Sequence, residues 1–170
     1  MRSLKAKIPW YSFLFLILFF QGFSSDASTE FDWLAFKAKS DSLIQEFRKD
    51  ESLEDEIYKL SIDSSSILET PVYALYLIEL GSAYAKYDKY TKATSIVLDA
   101  LSIHEARGDY SGVAHAYAKL AFFKYIKNNH EKSIQYVNQG FQALKRLDTL
   151  DPSGFSRLYN VLALVYYDQD

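Results

Sequence analysis

Apolar and small positions recur along this chain at helical spacing, and the recurrence itself has a period. Between residues 74 and 147 one pattern is written twice. The first copy holds Leu80, Gly81, Tyr84, Tyr90, Ala93, Val97 and Ala100. Forty residues on come Leu120, Ala121, His130, Ser133, Val137 and Gly140. Small residues fall at 81 and 121, at 93 and 133, and at 100 and 140. A fixed period of this size marks stacked helical repeats, each of which buries its apolar face on the next.

The pattern predicts a helix over 72–87, a turn at Asp88-Lys89 and a helix over 90–106. Arg107-Gly108-Asp109 closes that pair, with Gly108 in the left-handed conformation that ends many helices. The second copy predicts helices over 112–127 and 130–147 around a turn at Asn128-Asn129. Asp148 to Gly154 reads as a loop with Pro152 and Gly154 as breakers, and a further helix follows over 155–167. Full repeats therefore occupy 71–110 and 111–150, and the first helix of a third follows.

Upstream, residues 28–70 read as a helical lead-in, a degenerate repeat acting as a cap. Thr29 or Asp32 is placed to start a helix that runs to about Arg48, with Trp33, Leu34, Phe36, Leu43, Ile44 and Phe47 as its apolar positions. Ser52 is placed to cap a second helix carrying Leu53, Ile57, Leu60, Ile67 and Leu68. The stretch from Ser61 to Ser66 weakens that helix, because Ser and Asp compete for backbone hydrogen bonds. Thr70-Pro71 ends the lead-in and suits the start of the first repeat. In the last helix Leu158, Leu162, Val165 and Tyr166 mark one face, and Val161 and Leu164 another. A helix apolar on two sides needs neighbours on both. The expectation is self-association through this helix, or further repeats beyond residue 170.

Residues 1–27 have the layout of a secretory signal peptide. Arg2, Lys5 and Lys7 precede an apolar stretch from Ile8 to Phe20, broken only by Pro9 and Ser12. At 13 residues it is shorter than the roughly 18–20 needed to span a bilayer. Small-residue cleavage sites follow at Gly22-Phe23-Ser24 and Ser25-Asp26-Ala27, and the cut after Ala27 is favoured. The expected location is periplasmic or secreted, with no membrane contact after cleavage, and membrane-anchored if the segment is retained.

Composition narrows the class further. With 3 Pro and 6 Gly among 170 residues, helix is favoured throughout. The net charge of -3 becomes more negative once the leader's Arg2, Lys5, Lys7 and Asp26 are removed. That argues against nucleic-acid binding, which needs a basic face to neutralise phosphates. Cysteine is absent, which excludes disulfides and thiolate chemistry. His104, His115 and His130 have no partner at metal-ligand spacing, and neither a Gly-rich phosphate loop nor a serine elbow occurs. No enzymatic activity, metal or cofactor is expected. Arg107-Gly108-Asp109 spells an adhesion tripeptide, but a glycine is expected at that inter-helix turn anyway.

Leu80, Gly81, Tyr84, Tyr90, Ala93 and Ala100, with Leu162, Ala163 and Tyr166 further on, resemble the tetratricopeptide repeat (TPR). The second copy departs from that motif at Lys124, where a tyrosine is expected, and at Ser133, where an alanine is. The period of 40 is longer than the usual 34 or so and matches HEAT-like repeats in length, but the residue order fits TPR. The longer period is similar to TPR arrays in the extracytoplasmic sensor regions of bacterial signalling proteins. The resemblance implies an α-solenoid whose first helices line a concave groove. Carried over position by position, Ser82, Ala85 and Lys86 face that groove, then His115, Lys119, Phe122 and Tyr125, then Arg157, Asn160, Leu164 and Tyr167. Phe122 and Leu164 read equally well as core residues. Cations beside aromatic rings suit an acidic or C-terminal segment of another protein. The expected function is a non-catalytic scaffold for protein–protein interaction. The alternative is the N-terminal sensor region of a membrane-bound histidine kinase or helix-turn-helix regulator whose output domain is absent from this sequence.

Overall fold

Six helices and one short 3-10 turn have defined bounds among the described residues, and Glu54 and Glu56 are helical as well. The computed structural model describes residues 33–54, 56 and 70–168. The expected signal peptide, the start of the first lead-in helix at Thr29 or Asp32, and most of the second lead-in helix lie outside them. Helix α1 spans Trp33–Phe47, followed by a 3-10 turn over Glu51–Leu53. Then come α2 (Pro71–Lys86), α3 (Tyr90–Ala106), α4 (Tyr110–Ile126), α5 (His130–Leu144) and α6 (Pro152–Tyr167). The all-α class expected from the periodicity is what the described chain adopts. No helix among the described residues is long and apolar enough to cross a membrane.

Three of the turns are built alike. Asp88, Gly108 and Asn128 all have positive φ, at 58°, 66° and 55°, and they sit twenty residues apart. The amide after each left-handed residue reaches back to a helix carbonyl: Lys89 to Tyr84 at 3.2 Å, Asp109 to His104 at 3.0 Å, Asn129 to Lys124 at 2.9 Å. The left-handed residues themselves donate to Ala85, Glu105 and Tyr125. This is the Schellman arrangement, which satisfies carbonyls that a helix end would otherwise leave unpaired. Asp and Asn tolerate the left-handed region better than other side chains, which is why 88 and 128 need no glycine.

The helix starts differ from expectation in ways that capping explains. Helix α4 begins at Tyr110, two residues earlier than predicted, because Asp109 accepts a hydrogen bond from the Gly112 amide at 3.0 Å. Helix α6 begins at Pro152 rather than at 155. Asp151 accepts from the Gly154 amide at 2.9 Å, and Pro152 occupies the first helical position, where its missing N–H is not needed. The supposed breakers are therefore a start signal. Helix α5 stops at Leu144, short of 147. At the 3-10 turn the capping group is Asp50, whose carboxylate accepts from the Ser52 amide at 2.9 Å, and not Ser52 itself.

Residues from 34 onward form one compact unit. Sequential helices pack on each other from α2 to α6, and α4 also touches α2 and α6. Helix α4 is accordingly buried on several sides, through Val113, Ala114, Ala116, Ala118, Leu120, Ala121 and Phe123. Small residues set the distance between partners. A methyl group on Gly81 would meet Val97 Cγ2 at 2.5 Å and the Ala93 carbonyl oxygen at 3.1 Å. In the second pair the same position is Ala121, whose carbonyl accepts a hydrogen bond from the buried Ser133 hydroxyl at 2.9 Å. Ser133 thus keeps the small volume of the expected alanine and satisfies its own hydroxyl. At the far end, Leu158 packs against Gly140. Helix α1 docks onto α2 through aromatic contacts, Phe36 with Tyr76 at 5.7 Å and Phe47 with Tyr84 at 5.1 Å between ring centroids.

The last helix buries Leu158, Val161 and Val165 along one stripe, while Tyr159, Leu164, Tyr166 and Tyr167 are exposed. The expected grouping of faces is therefore revised. Val161 joins the inner stripe, and Tyr166 turns outward.

Substituting Gly81→Ala forces Val97 and the Ala93 backbone apart and should cost about 1–3 kcal/mol. Gly108→Ala has open space but a left-handed backbone, and should cost about 1 kcal/mol. Urea unfolding of both variants checks the ranking. An unchanged midpoint for Gly81→Ala would show that the close approach does not constrain the pair.

Candidate functional site

Helices α2, α4 and α6 lie side by side and leave a groove between their exposed edges. One cleft, of about 410 Å³, is lined by Glu79 of α2, His115, Ala118, Lys119 and Phe122 of α4, and Arg157, Asn160 and Val161 of α6. A second, of about 290 Å³, is lined by Ser82, Ala85 and Lys86 of α2, Tyr90 of α3, and Lys119, Phe122, Phe123 and Ile126 of α4. Lys119 and Phe122 belong to both clefts. Phe122 is 37% exposed, so its ring is open to the groove and not a core residue.

Most of the expected groove residues come together here. His115, Lys119, Phe122, Arg157 and Asn160 share the first cleft, and Ser82, Ala85 and Lys86 enter through the second. Lys86 is already committed, since its ammonium donates to the Arg48 carbonyl at 2.7 Å. Tyr125 lines neither cleft. Its ring stacks on His130 at 6.0 Å and lies 6.2 Å from Phe122, and the Asp168 carboxylate near its hydroxyl makes that group harder to ionise. Leu164 and Tyr167 are exposed beyond the groove's end. Glu79 and Arg48 were missed. Glu79 sits one turn before Ser82 on the same helix face, so spacing alone would have found it. Arg48 follows α1 and reaches the groove only through the fold, pairing with Glu79 at 2.9 Å.

The electrostatics of the first cleft are one-sided. Its carboxylate, Glu79, is taken by Arg48, whereas Lys119 and Arg157 form no ion pair among the described residues. Burial lowers the Lys119 ammonium from its ordinary range. Glu79 opposes that shift, and Arg48 and Arg157 add to it. Burial also pulls His115 down to about 4, reinforced by Arg157, Lys119 and His104 and opposed by Glu79. Burial works against the charged forms of both groups.

The chain matches no family model, no curated protein and no solved structure.

Behind the groove, His104 is wholly buried in the last turn of α3. Its Nδ1 lies 2.8 Å from one Asp109 oxygen, and the other Asp109 oxygen caps α4. A methyl group on Gly112 would fall 2.1 Å from the same ring nitrogen, so the glycine makes room for the imidazole. His104 Nε2 has no hydrogen-bond partner among the described residues. With Nδ1–H donating to Asp109, a proton on Nε2 would be a buried donor without an acceptor. Burial accordingly lowers this histidine's affinity for protons, although Asp109 opposes the shift. The adhesion tripeptide is thus structural at its third position, since both carboxylate oxygens of Asp109 are occupied within the fold. Among the described residues no cluster of three or more His, Asp or Glu side chains is arranged to hold a metal ion. The Ser82 hydroxyl donates to the Ile78 carbonyl at 2.9 Å. The groove offers charge, an aromatic surface and an amide, which are means of recognition.

The two histidines make the fold acid-sensitive. Unfolded, each takes up a proton near pH 6.5; folded, His115 does so only at about 4. Between those values the unfolded chain binds more protons, so stability falls as the pH drops through that window, by up to about 1.4 kcal/mol per pH unit from His115. Glu54, held at about 2 by hydrogen bonds from Lys89 and Lys92, adds its loss only below the ordinary carboxylate range. Urea midpoints at pH 7.0, 5.5 and 4.5 should decline in order, and His115→Gln should flatten the slope between the first two. An unchanged slope would remove His115 as a source.

Proposed function

We propose that this protein is an exported, non-catalytic scaffold of tetratricopeptide type, which binds an acidic segment of another protein in the groove across α2, α4 and α6. The observation that carries the reading is the pair Lys119 and Arg157. They stand on neighbouring helices beside the exposed Phe122 ring, and neither is ion-paired among the described residues. Carboxylates are the natural complement of such cations, and an apolar side chain beside the carboxylate complements the ring. The groove is a few side chains long, which suits a short extended segment better than a folded surface.

The repeat assignment draws support from the turns twenty residues apart and from the matched small positions in the two helix pairs. Export draws support from the sequence of residues 1–27, with its basic start, short apolar stretch and small-residue cleavage sites.

A random-peptide display selection on the folded chain tests the reading. Enriched peptides should carry Asp, Glu or a free C-terminal carboxylate next to an apolar residue. The double variant Lys119→Ala, Arg157→Ala should weaken them by about tenfold or more, equal to at least about 1.4 kcal/mol, with helicity by circular dichroism unchanged. Enrichment of peptides without acidic groups, or unaltered affinity in the double variant, would remove the proposed site.

A further inference from the structure

His115 is the imidazole of the groove, and every element around it presents a charged or titratable group. Lys119 lies one turn on along α4, Arg157 faces it from α6, Glu79 from α2 and His104 from α3, and Arg48 holds Glu79 at 2.9 Å. Three of these groups are permanent cations at neutral pH, and the one carboxylate is engaged. His115 itself is half-buried and makes no hydrogen bond among the described residues. His104, behind it, cannot absorb a proton on Nε2 without burying an unpaired donor. An imidazolium at 115 therefore lacks a free counter-anion among the described residues.

We propose that anion capture by this groove is proton-linked, with His115 taking up a proton as a carboxylate seats between Lys119 and Arg157. The inference rests on the groove reading above and adds to it a dependence on pH. The entering carboxylate supplies the missing counter-charge and an acceptor for an imidazolium N–H, so it favours the protonated ring. Reciprocity then requires that protonation favour the carboxylate to the same degree. The sign follows directly. In the free protein His115 is neutral at pH 7.5 and at 5.5; in the complex it holds a proton at the lower pH. Affinity therefore rises as the pH falls between the bound and the free titration points, and levels off below the free one, near 4. The cationic side chains of Lys119 and Arg157 supply a basal attraction beside the proton-linked part. A groove of this kind releases an acidic partner near neutrality and retains it in mildly acidic surroundings, a property suited to an exported protein.

The test uses the chain with its groove intact and a defined probe, an N-acetylated Phe-Glu-Glu-Glu tetrapeptide with a free C-terminus, whose carboxylates are largely ionised at both pH values. Isothermal titration calorimetry at pH 7.5 and 5.5, each in two buffers of different ionisation enthalpy, reports affinity and protons taken up. The expected result is binding at least about threefold tighter at pH 5.5, with fractional proton uptake, and a flat profile for His115→Gln. In parallel, the His115 ring resonances of the unsubstituted protein are followed by NMR against pH. They should titrate well below 6.5 when free and move upward when the probe is present. Equal affinity at the two pH values, an unmoved His115 titration, or a pH dependence retained in His115→Gln overturns the proton linkage while leaving the groove as an anion site. No binding at either pH overturns the groove reading and the linkage with it. The NMR titration keeps the linkage falsifiable even if His115→Gln fails to fold.

Discussion

At Gly81 a methyl group would lie 2.5 Å from Val97 Cγ2 and 3.1 Å from the Ala93 carbonyl oxygen, so α2 and α3 are held at a separation that admits no side chain there. Much of the architecture depends on that approach and its counterpart at Ala121 and Ser133. Paired helices this close bury Val97 and Ala100, or Val137 and Gly140, almost completely. Larger residues are then displaced to the seams between pairs. Tyr84 packs with Phe47, and Tyr90 with Phe123, at centroid distances of 5.1 and 6.0 Å. Each well-buried ring contributes about 1.5–3 kcal/mol. Among the described residues the seams hold several of the chain's aromatic contacts.

The turns convert that local packing into a groove. Helices α3 and α4 are 17 residues each, and the turns before, between and after them share one backbone design. Equal lengths and equal turns return the chain to the same phase, so α4 comes to lie beside α2 with its outer edge facing the same way. His115, Lys119 and Phe122 share an edge because they are three and four residues apart on α4. Arg157 and Asn160 join them because Asp151 starts α6 where it does. The second Asp151 oxygen accepts from Ser111 at 2.6 Å, tying the start of α6 to the first turn of α4. Asp109 and Asp151 thus play one role twice: each caps a helix with one oxygen and secures a neighbouring element with the other.

How much of this was legible depends on how local the physics is. Gly108 at a left-handed position, the turns after Tyr87 and Lys127 and the matched small residues are fixed by interactions within a few residues or within one helix pair, and the pattern exposed them. The groove residues on α4 and α6 came from the tetratricopeptide resemblance; His115, Lys119, Phe122, Arg157 and Asn160 line the first cleft, whereas Tyr125, Leu164 and Tyr167 line neither. The start of α6 was misread because Pro152 and Gly154 break helices in their interior yet favour a start, and only the Asp151 cap decides between those roles. Arg48 was invisible for a different reason: its partner Glu79 is 31 residues away and reached through the docking of α1, which no period announces. Ser133 looked like a departure from the motif and proves to be a hydrogen-bonded equivalent of alanine.

Charge is distributed over this fold in two contrasting ways. Around Glu54, Lys89 and Lys92 satisfy one carboxylate together, and Lys92 also lies 4.4 Å from the centroid of the Tyr84 ring. That cluster is closed, because its cations find their anion and their aromatic surface inside the chain. The groove is open by the same accounting. Burial and the neighbouring cations work against the charged forms of Lys119 and His115, and Glu79 is too committed to Arg48 to offset them. Side chains in that situation oppose folding slightly and receive little in return from the described residues. A leucine at 119 would cover Phe122 at no electrostatic cost. Perturbed titratable groups gathered in a concave site are candidates for contact with a ligand. The closed cluster serves the stability of the fold, and the open one is the site proposed above for an acidic partner.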